Sequence, residues 1–297
     1  MSEWHKGVMT WREQGWLCVS VPFTWLLKEA RGVCLSHPTE RVVVGGPAVR
    51  LMPEFLADVA EVETMAPDNP LCRANPEASR TTLGCPNACP FCGVRTIEGP
   101  FRELPDWRPA PVLCDSNFLA SSDAHFDRTI ERLKRADFRE VDFNQGLEAK
   151  RLTKRRAARL AELNIRPRFA WDRPEEAAAV FDALSKMERA GVPRSRFHAV
   201  LCLIGFRETP EDAMYRLQTL KDRGFLGFAM RYQPLDALKK NGYIAPGWSE
   251  RLLRDFCRYW NRQAWLPDMA FREYQREQHD ARQGALALDG QEGQGPS

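Results

Sequence analysis

The chain has 297 residues, 43% hydrophobic and 28% charged, with a formal net charge of +3 from 43 basic and 40 acidic side chains. That is ordinary globular composition with material for a sizeable core, and the charge balance neither demands nor excludes a nucleic-acid partner. The nine cysteines are odd in number and six are scattered, which argues against the disulfide framework of a small secreted domain. The first residues carry no charged-then-apolar leader, and no apolar run approaches the ~18 residues a membrane span needs, so a cytoplasmic location is expected.

Residues 1–77 read as a short α/β segment, with strands at Trp16 to Phe23 and Arg41 to Val44. From Arg80 a strand–helix alternation sets in. Pro111 to Asp115 is a strand and Phe126 to Ala136 an amphipathic helix. Glu140 to Asn144 is a strand, followed by a helix from Thr153. Arg168 to Asp172 is a strand, and Pro174 to Ala190 a helix stopped by Gly191. His198 to Gly205 is the most apolar strand. Thr209-Pro210-Glu211-Asp212 opens a helix with a capping threonine, an early proline and acids at the positive end of the dipole. Gly224 to Arg231 is the last strand of the series.

Six such steps predict parallel pairing with helices outside, and six is short of the eight that close a barrel. The expected fold class is therefore α/β, with a partial (β/α)6 TIM-like barrel over residues 78–237. A C-terminal helical extension over 238–280 and a disordered Gly/Gln-rich tail over 281–297 complete the expected organisation. In parallel α/β folds the chemistry sits at the C-terminal ends of strands. The cysteine loop, Asp115, Asn144, Asp172 and Gly205 all fall there, which predicts one shared site.

That loop is Gly84-Cys85-Pro86-Asn87-Ala88-Cys89-Pro90-Phe91-Cys92, with spacing C-x3-C-x2-C. Three adjacent thiolates converge naturally on one soft metal centre. A structural zinc site would want a fourth ligand in a second CxxC or HxxxH pair, and the sequence has none. Three ligands for a four-position centre suggest an iron–sulfur cluster with one iron open.

The segment Thr82 to Cys92 resembles the signature of the radical S-adenosylmethionine (radical SAM) superfamily, and the resemblance covers roughly residues 78–237. It implies a partial barrel in which Cys85, Cys89 and Cys92 hold a 4Fe–4S cluster whose open iron takes the amino and carboxylate groups of S-adenosylmethionine. One electron then yields methionine and a 5′-deoxyadenosyl radical that abstracts a hydrogen from a substrate the sequence does not identify. The resemblance puts the Phe91 backbone near the adenine. It also puts Asp115 and Asn117 where the family receives the methionine ammonium, although the family often has Gly-Gly-Glu there; Asp115 as a turn cap is the alternative. Asp172 corresponds to a ribose-binding position or, equally, to a helix cap. Leu203 to Glu208 matches the second half of the family's G-x-I-x-G-x-x-E pattern, with Gly205 letting adenine approach and Glu208 bracing the loop. Asn144 and Gln145 face the cofactor or substrate, or form a turn. No general acid, base or other catalytic side chain is assigned.

Val42 to Pro47, followed by Pro53-Glu54-Phe55, resembles the end of a cobalamin-binding domain. The segment is short and lacks a D-x-H-x-x-G loop, so a truncated, degenerate version is expected and cobalamin is not. Lys150, Arg151, Lys154, Arg155, Arg156 and Arg159 form one basic cluster, and Arg251, Arg254, Arg258 and Arg262 another. A solvated helix face is the favoured reading of both, over contact with nucleic acid. An electron donor such as flavodoxin or ferredoxin is the expected partner. The other readings are a non-enzymatic Fe–S or zinc-binding nucleic-acid interaction protein and a cobalamin-dependent radical SAM methyltransferase.

Overall fold

Alternating apolar side chains in Trp16–Ser20 and Arg41–Gly45 organise the first sheet. The computed structural model describes residues 4–63, 71–265 and 268–278. Strand β1 (Met9–Glu13) turns through Gln14-Gly15 into β2 (Trp16–Ser20), an antiparallel pair. The chain crosses by α1 (Leu27–Leu35) to β3 (Arg41–Gly45), which lies parallel to β2. It continues through α2 (Pro47–Leu51) to β4 (Glu61–Val62), parallel to β3. Leu17, Val19, Leu27, Ala30, Val44 and Val49 form the centre of a core under this sheet. The sequence reading has no counterpart for β1 and β4. Neither strand has a fully buried residue; β1 alternates only half-buried Met9 and Trp11 with exposed residues, too short a pattern to stand out, and β4 has only two residues.

Next come α3 (Leu71–Ala74), β5 (Ala78–Ser79) and β6 (Thr82–Leu83), then the cysteine loop and α4 (Val94–Glu98). Strand β7 (Arg102–Glu103) returns antiparallel to β6, a pairing not expected from sequence. Strand β8 (Val112–Leu113), α5 (Asp123–Ala136), β9 (Asp142–Phe143), α6 (Lys154–Ala161) and α7 (Ala177–Arg189) follow. Ser122 and Thr153 cap α5 and α6 by accepting from the backbone N–H groups of His125 and Arg156.

Strands β5, β8 and β9 form one parallel sheet in that order. The expected strand Arg168 to Asp172 is reduced to parallel bridges, Val141 with Ile165 and Leu147 with Phe169. Two features interrupt it. Gly146, at φ +88°, turns the chain out of β9, its N–H donating to the Phe143 carbonyl at 2.8 Å. Pro167 lies between the two bridging positions and has no N–H to give.

Strands β10 (Val200–Ile204) and β11 (Gly227–Arg231) form a separate parallel pair, joined by α8 (Pro210–Asp222), and α9 (Glu250–Trp260) packs on β11. The capping box expected at Thr209 is present, reciprocated by Asp212. A further helical stretch spans 271–278.

The α/β class holds, but the expected continuous six-stranded partial barrel does not emerge among the described residues. The pairings fall into separate small sheets, and none closes. The chain divides into two compact units, one of residues 1–199 with 232–243 and the other of 200–231 with the residues from 244 on. Residues 4–63 and the cysteine loop thus belong to the same unit. Of the expected extension and tail, 266–267 and 279–297 lie outside the described residues. No helix among the described residues is long and apolar enough to cross a membrane.

Leu27 is fully buried in the first core. Leu27→Ala is expected to cost about 2–5 kcal/mol in urea denaturation, the range for a buried leucine that leaves a cavity.

Candidate metal and cofactor site

The pairing of β6 with β7 delivers both ends of the cysteine segment to one place. At that point Gly84 adopts φ +74°, and a Cβ there would lie 2.6 Å from the Pro100 carbonyl oxygen, so only glycine fits. Its N–H donates to Glu98 Oε2 at 2.8 Å. The same oxygen accepts from the Ser116 hydroxyl at 2.8 Å, and Glu98 Oε1 pairs with Arg80 at 3.1 Å. One buried carboxylate therefore joins the start of the loop, the end of the helix after it and the turn after β8.

Within the loop, the Cys92 N–H donates to the Cys89 carbonyl at 3.1 Å, closing a turn. Cys85 Sγ accepts from the Asn87 N–H at 3.4 Å and from Asn117 Nδ2 at 3.3 Å. Cys85 and Cys89 are half-buried and Cys92 is exposed. Among the described residues no group of three or more His, Cys, Asp or Glu is drawn together to hold a metal ion, so the three cysteines share a loop without forming a closed ligand set.

Their chemistry nonetheless suits a common centre. Partial burial pushes the Cys89 thiol up, and the neighbouring Cys92 and Cys85 push it further. Desolvation comes first at Cys92 as well, since protein crowds the sulfur of this otherwise exposed residue; Cys85 and Glu98 add to it. Mutual repulsion of this kind is what a shared cation relieves. Asp172 and Arg173 also act on Cys89, in opposite senses. Arg173 is engaged by Glu176 at 2.9 Å, and Asp172 is not a side-chain cap for the turn at Pro174–Glu176. Phe91 is half-buried within the loop.

Asp115 and Asn117 lie just beyond β8, both nearly fully buried. Asp115 Oδ1 accepts from the backbone N–H and hydroxyl of Thr81 at 2.8 and 2.9 Å, and from the Thr82 hydroxyl at 2.7 Å and N–H. Burial still pushes its carboxyl above the usual range, against these donors. Asp115 Oδ2 and Asn117 Oδ1 are buried with no hydrogen-bond partner among the described residues. Asn117 Nδ2 reaches Glu148 Oε2 at 2.7 Å as well as Cys85. Asn144 turns its amide toward the buried Cys114 sulfur, at 3.9 Å, while Gln145 is exposed.

Gly205 and Glu208 belong to the second unit. Gly205 has φ +72°, and a Cβ there would lie 2.9 Å from Leu253 Cδ2, so a leucine side chain occupies the close approach expected for adenine. The bracing expected of Glu208 is present. Its carboxylate accepts from the Gly205 N–H at 3.3 Å and from the fully buried Arg216, which also donates to the Leu203 carbonyl at 2.8 Å. Burial lifts the Glu208 carboxyl to about 7, with Arg216 opposing.

The basic cluster of 150–159 is largely neutralised by neighbouring acids. Lys150 pairs with Glu176, Arg151 with Glu148, Arg155 with Asp127 and Arg156 with Asp123, while Arg159 meets Asp127, Glu131 and Glu162. Arg155, Arg156 and Arg159 thereby tie α6 to α5. Glu98 carries the loop and is absent from the sequence-derived candidates. Its only sequence signal is an acid at the end of a short helix, which no motif distinguishes.

No family model matches the chain, and no curated protein matches it. Among solved structures the fold is similar to that of radical SAM methyltransferases. Two of the matching structures are of TsrM from Kitasatospora setae. One structure, with cobalamin and a [4Fe–4S] cluster bound, matches with a TM-score of 0.53 and 14% identity over 76% of this chain and 66% of that one. The other, with tryptophan substrate and the analogue aza-SAM bound, gives 0.50 and 14% over 74% and 62%. The chain thus spans somewhat under two thirds of TsrM's length in the matched region, and the likeness is one of fold.

Glu208→Ala, by stranding a buried guanidinium, is expected to lower stability by about 3–5 kcal/mol, and the paired change Glu208→Leu with Arg216→Met to recover most of it. Denaturation of the single and double variants measures both. Cys114 is buried and its thiol is pushed up to about 12. At pH 8 its thiolate fraction is about one in ten thousand. Iodoacetamide applied to the folded protein should therefore label the exposed Cys72 and leave Cys114 unlabelled, as peptide mass analysis would show.

Proposed function

We propose that the chain is a radical SAM enzyme, with Cys85, Cys89 and Cys92 as ligands of a 4Fe–4S cluster and S-adenosylmethionine as co-substrate. The observation that carries this reading is the C-x3-C-x2-C loop itself, with two orphaned acceptors, Asp115 Oδ2 and Asn117 Oδ1, buried just beyond β8. An ammonium is donor-only and would satisfy both oxygens, which fits the methionine end of S-adenosylmethionine. The fold likeness to a radical SAM methyltransferase supports the same reading.

When bound, a 4Fe–4S cluster supplies the electron that cleaves S-adenosylmethionine to methionine and a 5′-deoxyadenosyl radical. The chain's own residues hold and orient. Glu98 fixes the mouth of the cysteine loop, and Asp115 ties Thr81 and Thr82 to the turn after β8. Phe91 offers its backbone to the adenine, and Asp172, within electrostatic range of Cys89, is placed to accept from the ribose. Asn144 and Gln145 keep the cofactor-binding roles that the resemblance implies, while Glu208 braces the loop at Gly205 within its own unit. The partial barrel over 78–237 belongs to this reading, as do a cytoplasmic location and reduction by a flavodoxin or ferredoxin. The hydrogen donor is a substrate of unassigned class.

A second reading, cobalamin-dependent methyl transfer, is favoured by two observations. Cobalamin is bound in one of the TsrM structures, and residues 9–62 form a sheet with β2, β3 and β4 parallel. The expectation that cobalamin is absent from this protein, drawn from the missing histidine loop, has no support from these neighbours. The non-enzymatic nucleic-acid reading loses ground because acids pair with most of the basic 150–159 cluster.

After anaerobic reconstitution and reduction the protein should convert S-adenosylmethionine to 5′-deoxyadenosine, and Cys89→Ala should reduce this at least a hundredfold. Chromatographic product analysis tests it. Unchanged turnover in Cys89→Ala would remove that residue from the ligand set, and a stoichiometric zinc content without iron or sulfide would overturn the enzyme reading.

A further inference from the structure

We propose that Asn117 is a positioning residue that raises the reduction potential of the metal centre by donating a hydrogen bond to the Cys85 sulfur, with Glu148 and Arg151 locking its amide in that orientation. The inference rests on the reading of Cys85 as a cluster ligand. It assigns to Asn117 a role separate from receiving S-adenosylmethionine.

The geometry is specific. Asn117 starts the short turn Phe118–Ala120 with φ −158° and ψ 76°, which carries its side chain back toward the cysteine loop. Its Nδ2 lies 3.3 Å from Cys85 Sγ and 2.7 Å from Glu148 Oε2. A flipped amide would set its oxygen against the Glu148 carboxylate, acceptor against acceptor, so Glu148 fixes which end faces the sulfur. Arg151 Nε donates to the same Glu148 oxygen at 2.6 Å, holding that carboxylate in place and balancing its charge.

Asn117 is 4% exposed, so water does not compete for its N–H, and hydrogen bonds in such a site act at low dielectric. Asn87 gives Cys85 a second donor, at 3.4 Å. Donors on a ligating sulfur draw off negative charge. They favour the reduced, more negative form of the centre and make the first electron easier to place.

The test is an EPR-monitored redox titration of the anaerobically reconstituted full chain, using dithionite and mediators, for wild type, Asn117→Leu, Asn117→His and Glu148→Gln. Asn117→Leu should bind iron and sulfide as wild type does while its reduction equilibrium moves about tenfold toward the oxidised form, ~59 mV for one electron. Asn117→His, which can return an N–H to the sulfur, should restore most of the shift. Glu148→Gln keeps an acceptor for Nδ2 and should shift less than Asn117→Leu. If Asn117→Leu does not fold, Asn117→Ala takes its place, being smaller, uncharged and without the donor, and should also lower the potential. An unchanged potential in a donor-less variant that holds its cluster overturns the inference alone. A wild-type chain that takes up no iron and sulfide overturns the cluster reading and the inference with it.

Discussion

The cysteine loop depends on the carboxylate of Glu98. With one oxygen on the Gly84 N–H and the Ser116 hydroxyl and the other on Arg80, it draws three chain segments to one point. A short loop rich in proline and sulfur has few backbone pairings of its own to hold it, so its shape is imposed from the ends. Glu98 and the β6–β7 pair each tie the start of the segment to its end. Asp115 does the same work from the next strand, where a single oxygen gathers both donors of Thr81 and both of Thr82. Two buried acids thus fix the ends and the flank of the segment that carries the three cysteines.

The elements legible in the sequence were those with local signals. The helix start at Thr153, the cap at Thr209 and the apolar run of β10 each carry their reason in neighbouring residues. The β6–β7 pair and the roles of Glu98 and Glu148 were not legible, because each depends on a partner distant in the chain, with no periodicity to announce it. The strand at Arg168 to Asp172 fails for a reason visible only after folding. Its apolar residues are buried as expected, yet Pro167 and the turn at Gly146 leave room for bridges alone. Asp115 and Asp172 were chosen for their position after strands, and both lie in the unit that carries the cysteines. Gly205 was chosen for an approaching ligand, whereas its lack of a side chain makes room for Leu253.

Charge follows a similar division. Counting residues along α6 suggests a cationic face, whereas the folded chain sets Asp123, Asp127, Glu131 and Glu162 against it. Exposed pairs of this kind contribute little stability individually, and as a network they fix the register of one helix on the next. Arg151 stands at the border between this network and the loop, because its partner Glu148 also holds Asn117.

The path of the chain between its two compact units has a consequence for modularity. The segment 232–243 leaves the second unit and returns to the first, where the Thr24 hydroxyl donates to the Ala237 carbonyl at 2.7 Å and Leu238 packs on the core beneath the first sheet. A fragment ending at residue 199 would keep every cysteine of the motif and still leave its own hydrophobic core incomplete. The first unit is therefore not a cassette that can be cut out or exchanged at a single boundary. Insertions, fusions and recombination between relatives would have to respect a strap that belongs to one half in space and to the other in sequence.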